Sequence, residues 1–439
     1  MKFNLKRFTF FLAILLFIFL FFVISRYLNT FGFLLISAFY FYILIVFLFT
    51  YYYYPHVEDK PILDPKNAPE VGVVTYAYND FKPVLETIDG LKKLKYPRPF
   101  TIYVITDGTC TFLDDIKGVK RIVISKKYFN KNKNIKAEIM NQGLKKIHED
   151  LLLCLDGDTV VNSNALYEMV PMLRDDVAVV NTLLYPKNRK LFFENMQLFE
   201  YYINWGMALR VLSSMDSISI PVGGLFLMKN KIFKELGGYD VNNITEDREL
   251  GYRILEKGYN IKFVSSAKSA TEIPTNIVAW AKQRIRWARG EMQTIYKHRK
   301  FFFNKKLGLF GTFVLPFTFF LQTIGIAMAF GLLFKYLTRT VINTIIFLSE
   351  CIREGFFYIA LPSHIYFKST ISLVIISTVL FMIYSVNSFH LSGFKFKLKH
   401  IPPFIVFSTF YVFMTGMVYI LAIFLEMINF KQIVFKRKT

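Results

Sequence analysis

Several short runs carry the residues whose types and spacing could do chemistry. Tyr76-Ala77-Tyr78-Asn79-Asp80, Asp107-Gly108-Thr109 and Asp156-Gly157-Asp158 each follow an apolar stretch. Thr245-Glu246-Asp247 opens an amphipathic stretch, and Gln283-Arg284-Ile285-Arg286-Trp287 precedes a long apolar one. An Asp-x-Asp pair suits a diphosphate. The carboxylates repel that group directly but can share with it a hard divalent cation, Mg²⁺ or Mn²⁺. Such an ion also stabilises the diphosphate as it leaves. Thr245-Glu246-Asp247 has two compatible readings. Thr245 can cap a helix whose dipole favours acids in its first turn, and Asp247 can act as a general base toward a hydroxyl. In the last run, Arg can neutralise a diphosphate and Trp can stack on a sugar ring; a basic and aromatic belt at a membrane surface gives the same composition.

The elements that must position these residues read as an α/β fold. Residues 71–76, 100–106 and 151–155 are short apolar runs of the kind that form buried strands, with helical stretches over 81–93 and 136–149 between them. Alternating strands and helices predict a mostly parallel sheet. Ligands on such sheets sit at the carboxyl ends of the strands, where the acidic runs fall. One acid at a strand end is often only a helix cap, but three successive strand ends lined with carboxylates point to a site. The apolar delivery of Asp156-Gly157-Asp158 by Leu151-Leu152-Leu153-Cys154-Leu155 strengthens that reading.

Around this domain the texture is that of a membrane protein. Of the 439 residues, 54% are hydrophobic and only 20% charged, with 49 Phe, more apolar than a soluble domain of this size. Residues 8–25 and 31–54 are each long enough to cross a bilayer. Lys2, Lys6 and Arg7 precede the first and place the N-terminus inside. The expected layout is an N-terminal hairpin at 1–54, a cytosolic domain at 66–306 ending in interfacial helices, and a membrane region at 307–430. Spans are expected at 307–334, 369–386 and 402–428. The stretch 340–361 carries Glu350, Arg353 and Glu354, a costly set inside a bilayer. It reads as a further span, giving six crossings, in preference to an interfacial helix giving five. The net charge of +22 is scattered, with no basic helix or nucleic-acid motif, so it fits anionic lipid and an anionic donor better than nucleic acid. Cys110, Cys154 and Cys351 have neither metal-knuckle nor disulfide spacing, which suits reducing surroundings.

Taken together, the motifs resemble the membrane-bound family 2 glycosyltransferases, which include cellulose, chitin, hyaluronan and poly-N-acetylglucosamine synthases. Tyr78-Asn79-Asp80, Asp156-Gly157-Asp158, Thr245-Glu246-Asp247 and Gln283-Arg284-Ile285-Arg286-Trp287 stand in the family's order between residues 71 and 290. The last run is specific to the processive branch. The resemblance implies a GT-A-like nucleotide-sugar-binding domain inserted between transmembrane helices at the plasma membrane. It implies that Tyr78, Asp80 and Asp107 hold the nucleoside of a UDP donor, that Lys136 contacts the nucleotide, and that Asp156 lies near the donor. Asp158 would ligate Mn²⁺ or Mg²⁺. Gly223 and Gly224 would let the acceptor approach, Glu246 and Asp247 would be catalytic with Asp247 the base, and Gln283, Arg286 and Trp287 would contact the diphosphate and the acceptor end. Two positions depart from the family pattern: Thr106 stands before Asp107 where a second acid is common, and Asp80 replaces a Glu. No counterpart follows Thr271 for the gating loop of bacterial cellulose synthases, and there is no cyclic-dinucleotide domain. The short chain, Ala288-Arg289-Gly290 and the segment 136–143 are most similar to poly-N-acetylglucosamine synthases.

The expected activity is therefore inverting, processive β-glycosyl transfer from UDP-N-acetylglucosamine or UDP-glucose, with export of the polymer through the chain's own helices. One alternative is a single transfer to a lipid acceptor. Another is a transporter with an intracellular regulatory domain, which the ordered acidic motifs disfavour.

Overall fold

The structure is a computed structural model. It describes residues 63–79, 82–125, 129–130, 133–355 and 369–428, with a few positions between 9 and 23. The expected span at 31–54 lies outside the described residues, as does Asp80.

The expected strands form as β1 (Val71–Ala77), β2 (Thr101–Thr106) and β4 (Leu151–Leu155). They are joined by β3 (Val119–Val123), β5 (Thr159–Val161), β6 (Val177–Pro186), β7 (Leu225–Lys229) and β8 (Asn260–Thr271). All eight build one sheet in the order β3-β2-β1-β4-β7-β6-β8-β5. The half that carries the acidic strand ends is parallel: β1 pairs with β2 and β4, and β2 with β3. β7 runs antiparallel to β4 and β6, whereas β8 is parallel to β6 and antiparallel to β5. The central strand β4 is apolar throughout because both faces are covered. Leu151, Leu153 and Leu155 enter the core under one face, while Leu152 and Cys154 enter the other. Each fully buried leucine contributes about 1.5–3 kcal/mol.

Helices α1 (Val84–Leu91) and α2 (Ile135–Leu144) occupy the expected helical stretches. The chain runs outward from β1 through β2 to β3 and then returns to the opposite side of β1 as β4. That reversal opens a crevice at the carboxyl ends of β1 and β4. Helix α3 (Phe192–Tyr201) continues into a π-helical segment (Tyr202–Ala208). Helix α4 (Glu246–Glu256) begins in the Thr245-Glu246-Asp247 run, and α5 (Ile277–Lys297) carries the Gln283 to Trp287 run.

After α5, α6 (Leu315–Glu354) runs unbroken for 40 residues through most of the expected span at 307–334 and into the stretch 340–361, and ends at Gly355, whose φ is 75°; positions 356–361 lie outside the described residues. At 1.5 Å per residue it is about 60 Å long, roughly twice the apolar core of a bilayer. No Gly or Pro interrupts it between 332 and 354, so nothing in the sequence turns the chain there. Helices α7 (Ser369–Leu391) and α8 (Val412–Met427) follow. Among the described residues, one helix, Leu398–Met427, is long and apolar enough to cross a membrane, with a mean hydropathy of 2.0.

Candidate active site

The strand register sets the first part of the site. Ala77 pairs with Thr106 across β1 and β2, so Tyr78 and Asp107 are the next residues of adjacent parallel strands. Val74 pairs with Cys154, which puts Tyr76 and Asp156 at the same edge. Asn79 adopts φ 56°, a left-handed turn that Asn tolerates well, and redirects the chain as it leaves β1. Asp107 is buried and accepts hydrogen bonds from Thr109 N (3.1 Å) and Thr109 Oγ1 (2.5 Å). Tyr78 packs against Phe129 with ring centroids 6.2 Å apart.

A cleft in the crevice between β1 and β4 is walled by Tyr76, Lys136, Asp156, Gly223, Glu246 and Asp247, with Met140, Cys154, Leu155, Phe226 and Tyr239 behind them. Lys136 is at its centre. Its Nζ lies 2.8 Å from Asp156 Oδ1, 2.9 Å from Glu246 Oε1 and 5.0 Å from the centre of the Tyr76 ring. Burial opposes the ammonium charge, but Asp156, Glu246, Tyr76 and Asp247 hold it well above the usual lysine range. The lysine is delivered by α2, whose N-cap is Asn134. The Asn134 side chain accepts from Ala137 N (3.2 Å) and donates to Glu246 Oε2 (2.7 Å) and Asn243 O (3.1 Å). Both oxygens of Glu246 are thus engaged. Despite burial, Lys136 keeps this carboxyl below the usual range.

Asp247 differs. Its Oδ1 accepts from Arg248 N at 2.8 Å, and its Oδ2 overhangs Gly223. A Cβ on Gly223 would lie 2.7 Å from Asp247 Oδ2 and 3.9 Å from Asp156 Oδ2. Only glycine admits the two carboxylates over one point of backbone. Burial and the neighbouring Glu246 push the Asp247 carboxyl up to about 6, while Lys136, the Arg248 amide and Arg286 act in the opposite direction. Thr245 is the N-cap residue of α4 by position, but its side chain caps no backbone N–H. Its hydroxyl donates to Asn243 Oδ1 at 3.3 Å and packs against Gly290, where an added Cβ would meet Thr245 Oγ1 at 2.2 Å.

Gln283, Arg286, Trp287 and Gly290 are spaced i, i+3, i+4 and i+7 and so share one face of α5. Gly290 touches Thr245, so that face is turned toward the start of α4. Arg286 is exposed and its charge reaches both Glu246 and Asp247. Trp287 is half-buried and carries Arg284 over its ring at 4.2 Å. Arg284 stands inside the same motif but is not among the residues to which the resemblance assigns a role. It is buried, binds Glu200 on α3, and donates to Gln283 Oε1 at 2.6 Å. Glu200 also accepts from Tyr411 Oη (2.6 Å), which accepts from Trp280 Nε1 (2.7 Å). Tyr76 and Asn134 were missed as well. The strand alternation placing Tyr76 on the face of Tyr78, and an Asn two residues before Lys136, were the available signals. Asp158 is buried and accepts from Thr271 Oγ1 at 3.3 Å. It does not line the cleft beside Asp156. Gly224 packs against Leu184, within 2.8 Å of where its Cβ would be. Among the described residues, no group of three or more His, Cys, Asp or Glu side chains is placed to hold a metal ion.

Residues 151–427 match the family model described as glycosyl transferase family group 2. The chain belongs to that family. Within it, the chain is similar to the poly-β-1,6-N-acetyl-D-glucosamine synthase of Staphylococcus aureus strain COL, with 27% identity over 260 residues. That match covers 57% of this chain and 62% of the relative, less than two thirds of its length. It is also similar to a probable glycosyltransferase, YdaM, of Bacillus subtilis strain 168, with 25% identity over 350 residues, covering 71% of this chain and 83% of the relative. In fold, this family 2 chain is similar to a mannosyltransferase from Pyrobaculum calidifontis solved in complex with GDP-Man and Mn²⁺. The TM-score is 0.57 at 16% identity, covering 89% of this chain and 97% of the other. The GT-A-like α/β fold expected from the sequence is therefore the fold of this glycosyltransferase.

Proposed function

We propose that this family 2 glycosyltransferase polymerises a sugar from a UDP-sugar donor with inversion at the anomeric carbon, at the plasma membrane, and passes the growing chain out between its own helices. The observation that carries the reading is the pairing of Asp247 and Asp156 over Gly223. One carboxylate, near neutrality in its proton affinity, faces the same small space as a strand-end acid and a lysine. A base suits proton transfer best when its pKa lies near the working pH.

In the reaction, the acceptor hydroxyl oxygen forms a bond to the anomeric carbon from the face opposite the diphosphate. The bond from that carbon to the diphosphate oxygen breaks, UDP leaves with the electron pair, and the hydroxyl proton passes to Asp247 Oδ2. Tyr78 and Asp107, at adjacent strand ends, are the residues we assign to the nucleoside, together with Asp80. Asp156 offers one hard carboxylate donor at the cleft, whereas Asp158 is buried against Thr271 outside it; Mn²⁺ or Mg²⁺ would be held there with the donor's own phosphates completing the coordination. Such an ion supplies neutralisation of the leaving diphosphate. Arg286 adds a cation on the α5 face, Gly223 leaves room for the acceptor while Gly224 packs against Leu184, and Gln283 and Trp287 hold its end. The similarity to a poly-β-1,6-N-acetyl-D-glucosamine synthase supports UDP-N-acetylglucosamine as the first donor to try, with UDP-glucose next. The apolar helix Leu398–Met427, with Ile405, Phe410 and Met417 more than half exposed, suits lipid around the product's path.

The test is UDP release and product size from the purified chain with a panel of UDP-sugars and Mn²⁺. Polymer from one donor is the expected result. A single sugar on an extractable lipid would replace polymerisation with single transfer, and no turnover of any nucleotide sugar would overturn the reading. Asp247→Asn should lower kcat by about 10²–10⁴-fold, the range for loss of a general base; a fully active variant would remove the base assignment.

A further inference from the structure

Helix α5 is held on two sides by one side chain. Gln293 Oε1 accepts from the backbone N–H of Ile244 at 3.0 Å, and its Nε2 donates to Glu426 Oε1 at 3.1 Å. The same carboxylate oxygen accepts from Arg289 Nε at 2.6 Å. Glu426 is wholly buried near the end of α8, a helix otherwise almost entirely apolar, and Arg289 is 7% exposed. Beside this contact, Asn243 Nδ2 donates to Thr294 Oγ1 at 2.9 Å, and Asn243 Oδ1 accepts from Thr245 N at 2.9 Å. The turn 243–245 is thus hung from α5 by two amide side chains, and it leads directly into Glu246 and Asp247.

A buried ion pair is a costly way to join two helices, because well-packed apolar residues hold such an interface at least as firmly. What it adds here is direction. A primary amide can sit in two orientations that differ only in exchanging oxygen and nitrogen. With Glu426 ionised, only one orientation works: the NH₂ must face the carboxylate, so the oxygen must face the Ile244 N–H. The reverse would set oxygen against carboxylate and N–H against N–H. Arg289 Nε, on the same oxygen at 2.6 Å, fixes where that oxygen lies.

We infer that Gln293, oriented by Glu426 of the C-terminal helix, is a positioning residue for Asp247. The apolar helix thereby sets the height of the turn that presents the base to the cleft. The inference rests on the reading of Asp247 as the base. It gives a physical purpose to a charge that the reaction itself does not use, and it makes the base sensitive to the placement of a helix on the product's proposed route.

The experiment uses the full chain in detergent or vesicles with UDP-N-acetylglucosamine and Mn²⁺. Gln293→Leu removes both hydrogen bonds at similar volume. It should lower kcat about tenfold while KM for the donor stays within about twofold, because a displaced base costs turnover without costing donor affinity. Glu426→Gln keeps size and an acceptor oxygen but loses the charge that orders the amide; it should show the same split at about threefold. It also carries the test by itself if Gln293→Leu does not fold. An unchanged kcat in either folded variant, or donor KM rising in step with the loss of kcat, overturns the inference. A fully active Asp247→Asn would instead remove the base reading beneath it. An inactive Asp247→Asn beside an unaffected Gln293→Leu removes the positioning role alone.

Discussion

The cleft and the face where α5 meets the C-terminal helix both bury cations against carboxylates but in different proportions. At the helix face each cation has its anion: Arg284 binds Glu200, and Arg289 binds Glu426. In the cleft, Lys136 alone bridges Asp156 and Glu246, with Asp247 beside them. One ammonium stands among three carboxylates. Matched buried pairs fix geometry, because removing either member strands a charge. In the cleft, burial first and the neighbouring Glu246 second push the Asp247 carboxyl up to about 6, and Lys136 and Arg286 offset only part of that rise. The difference teaches that burial beside an opposite charge fixes a frame, whereas burial beside a like charge leaves a carboxyl that holds its proton more tightly.

Two substitutions should pull the regions apart most strongly. Asp247→Asn removes a carboxylate whose charge the fold disfavours, so turnover should collapse while the thermal midpoint holds or rises. Glu200→Ala should do the reverse: it strands Arg284 and costs about 3–5 kcal/mol of stability, read by denaturation in detergent, with activity falling in step with the folded fraction. Equal loss of stability in both variants would break the distinction.

Lys136→Met tests the cleft more finely. On the proposed base role the carboxylate form of Asp247 is the active one, so kcat should fall as pH drops through about 6. Lys136 lowers that value. Without its charge the Asp247 carboxyl binds its proton more tightly, and the acid limb of the pH profile should move to higher pH. Activity lost at pH 6–7 would then recover in part toward pH 8. A limb that stays in place would mean that Lys136 does not sense Asp247.

Much of the cleft was legible because it rests on local rules. Apolar runs gave β1, β2 and β4, with Asp107 at the end of β2 and Asp156 at the cleft end of β4 while Asp158 turns into the core, and the spacing of Gln283, Arg286 and Trp287 gave one helix face. What was not legible depends on chain segments far apart. Lys136 and Glu246 are separated by 110 positions and meet only because β4 returns beside β1. Glu200, Tyr411 and Glu426 look like incidental polar residues in apolar stretches until α5 packs on them. The length of α6 escaped for a different reason: Lys335 and Arg339 interrupt the apolar run and residues 338–346 are rich in β-branched Thr, Val and Ile of low helix propensity, yet the helix continues through them.

The smallest expected effect lies where the two regions touch. Gly290→Ala adds one methyl group on the face that α5 turns to the site, where it would meet Thr245 Oγ1 at 2.2 Å, Cγ2 at 2.5 Å and Cβ at 2.7 Å. Overpacking of this kind costs about 1–3 kcal/mol. The methyl group must push either α5 from the C-terminal helix, at the expense of the Arg289–Glu426 pair, or the turn before Asp247 away from the cleft. Stability and kcat measured together separate the two: the first outcome lowers the unfolding midpoint and spares kcat per folded molecule, the second lowers kcat with little change in the midpoint. Thr245→Ala in the same chain deletes the two nearest atoms and should restore part of whichever quantity was lost. With buried ion pairs on one side and a short turn on the other, the turn is the softer neighbour, so the loss should fall mainly on kcat.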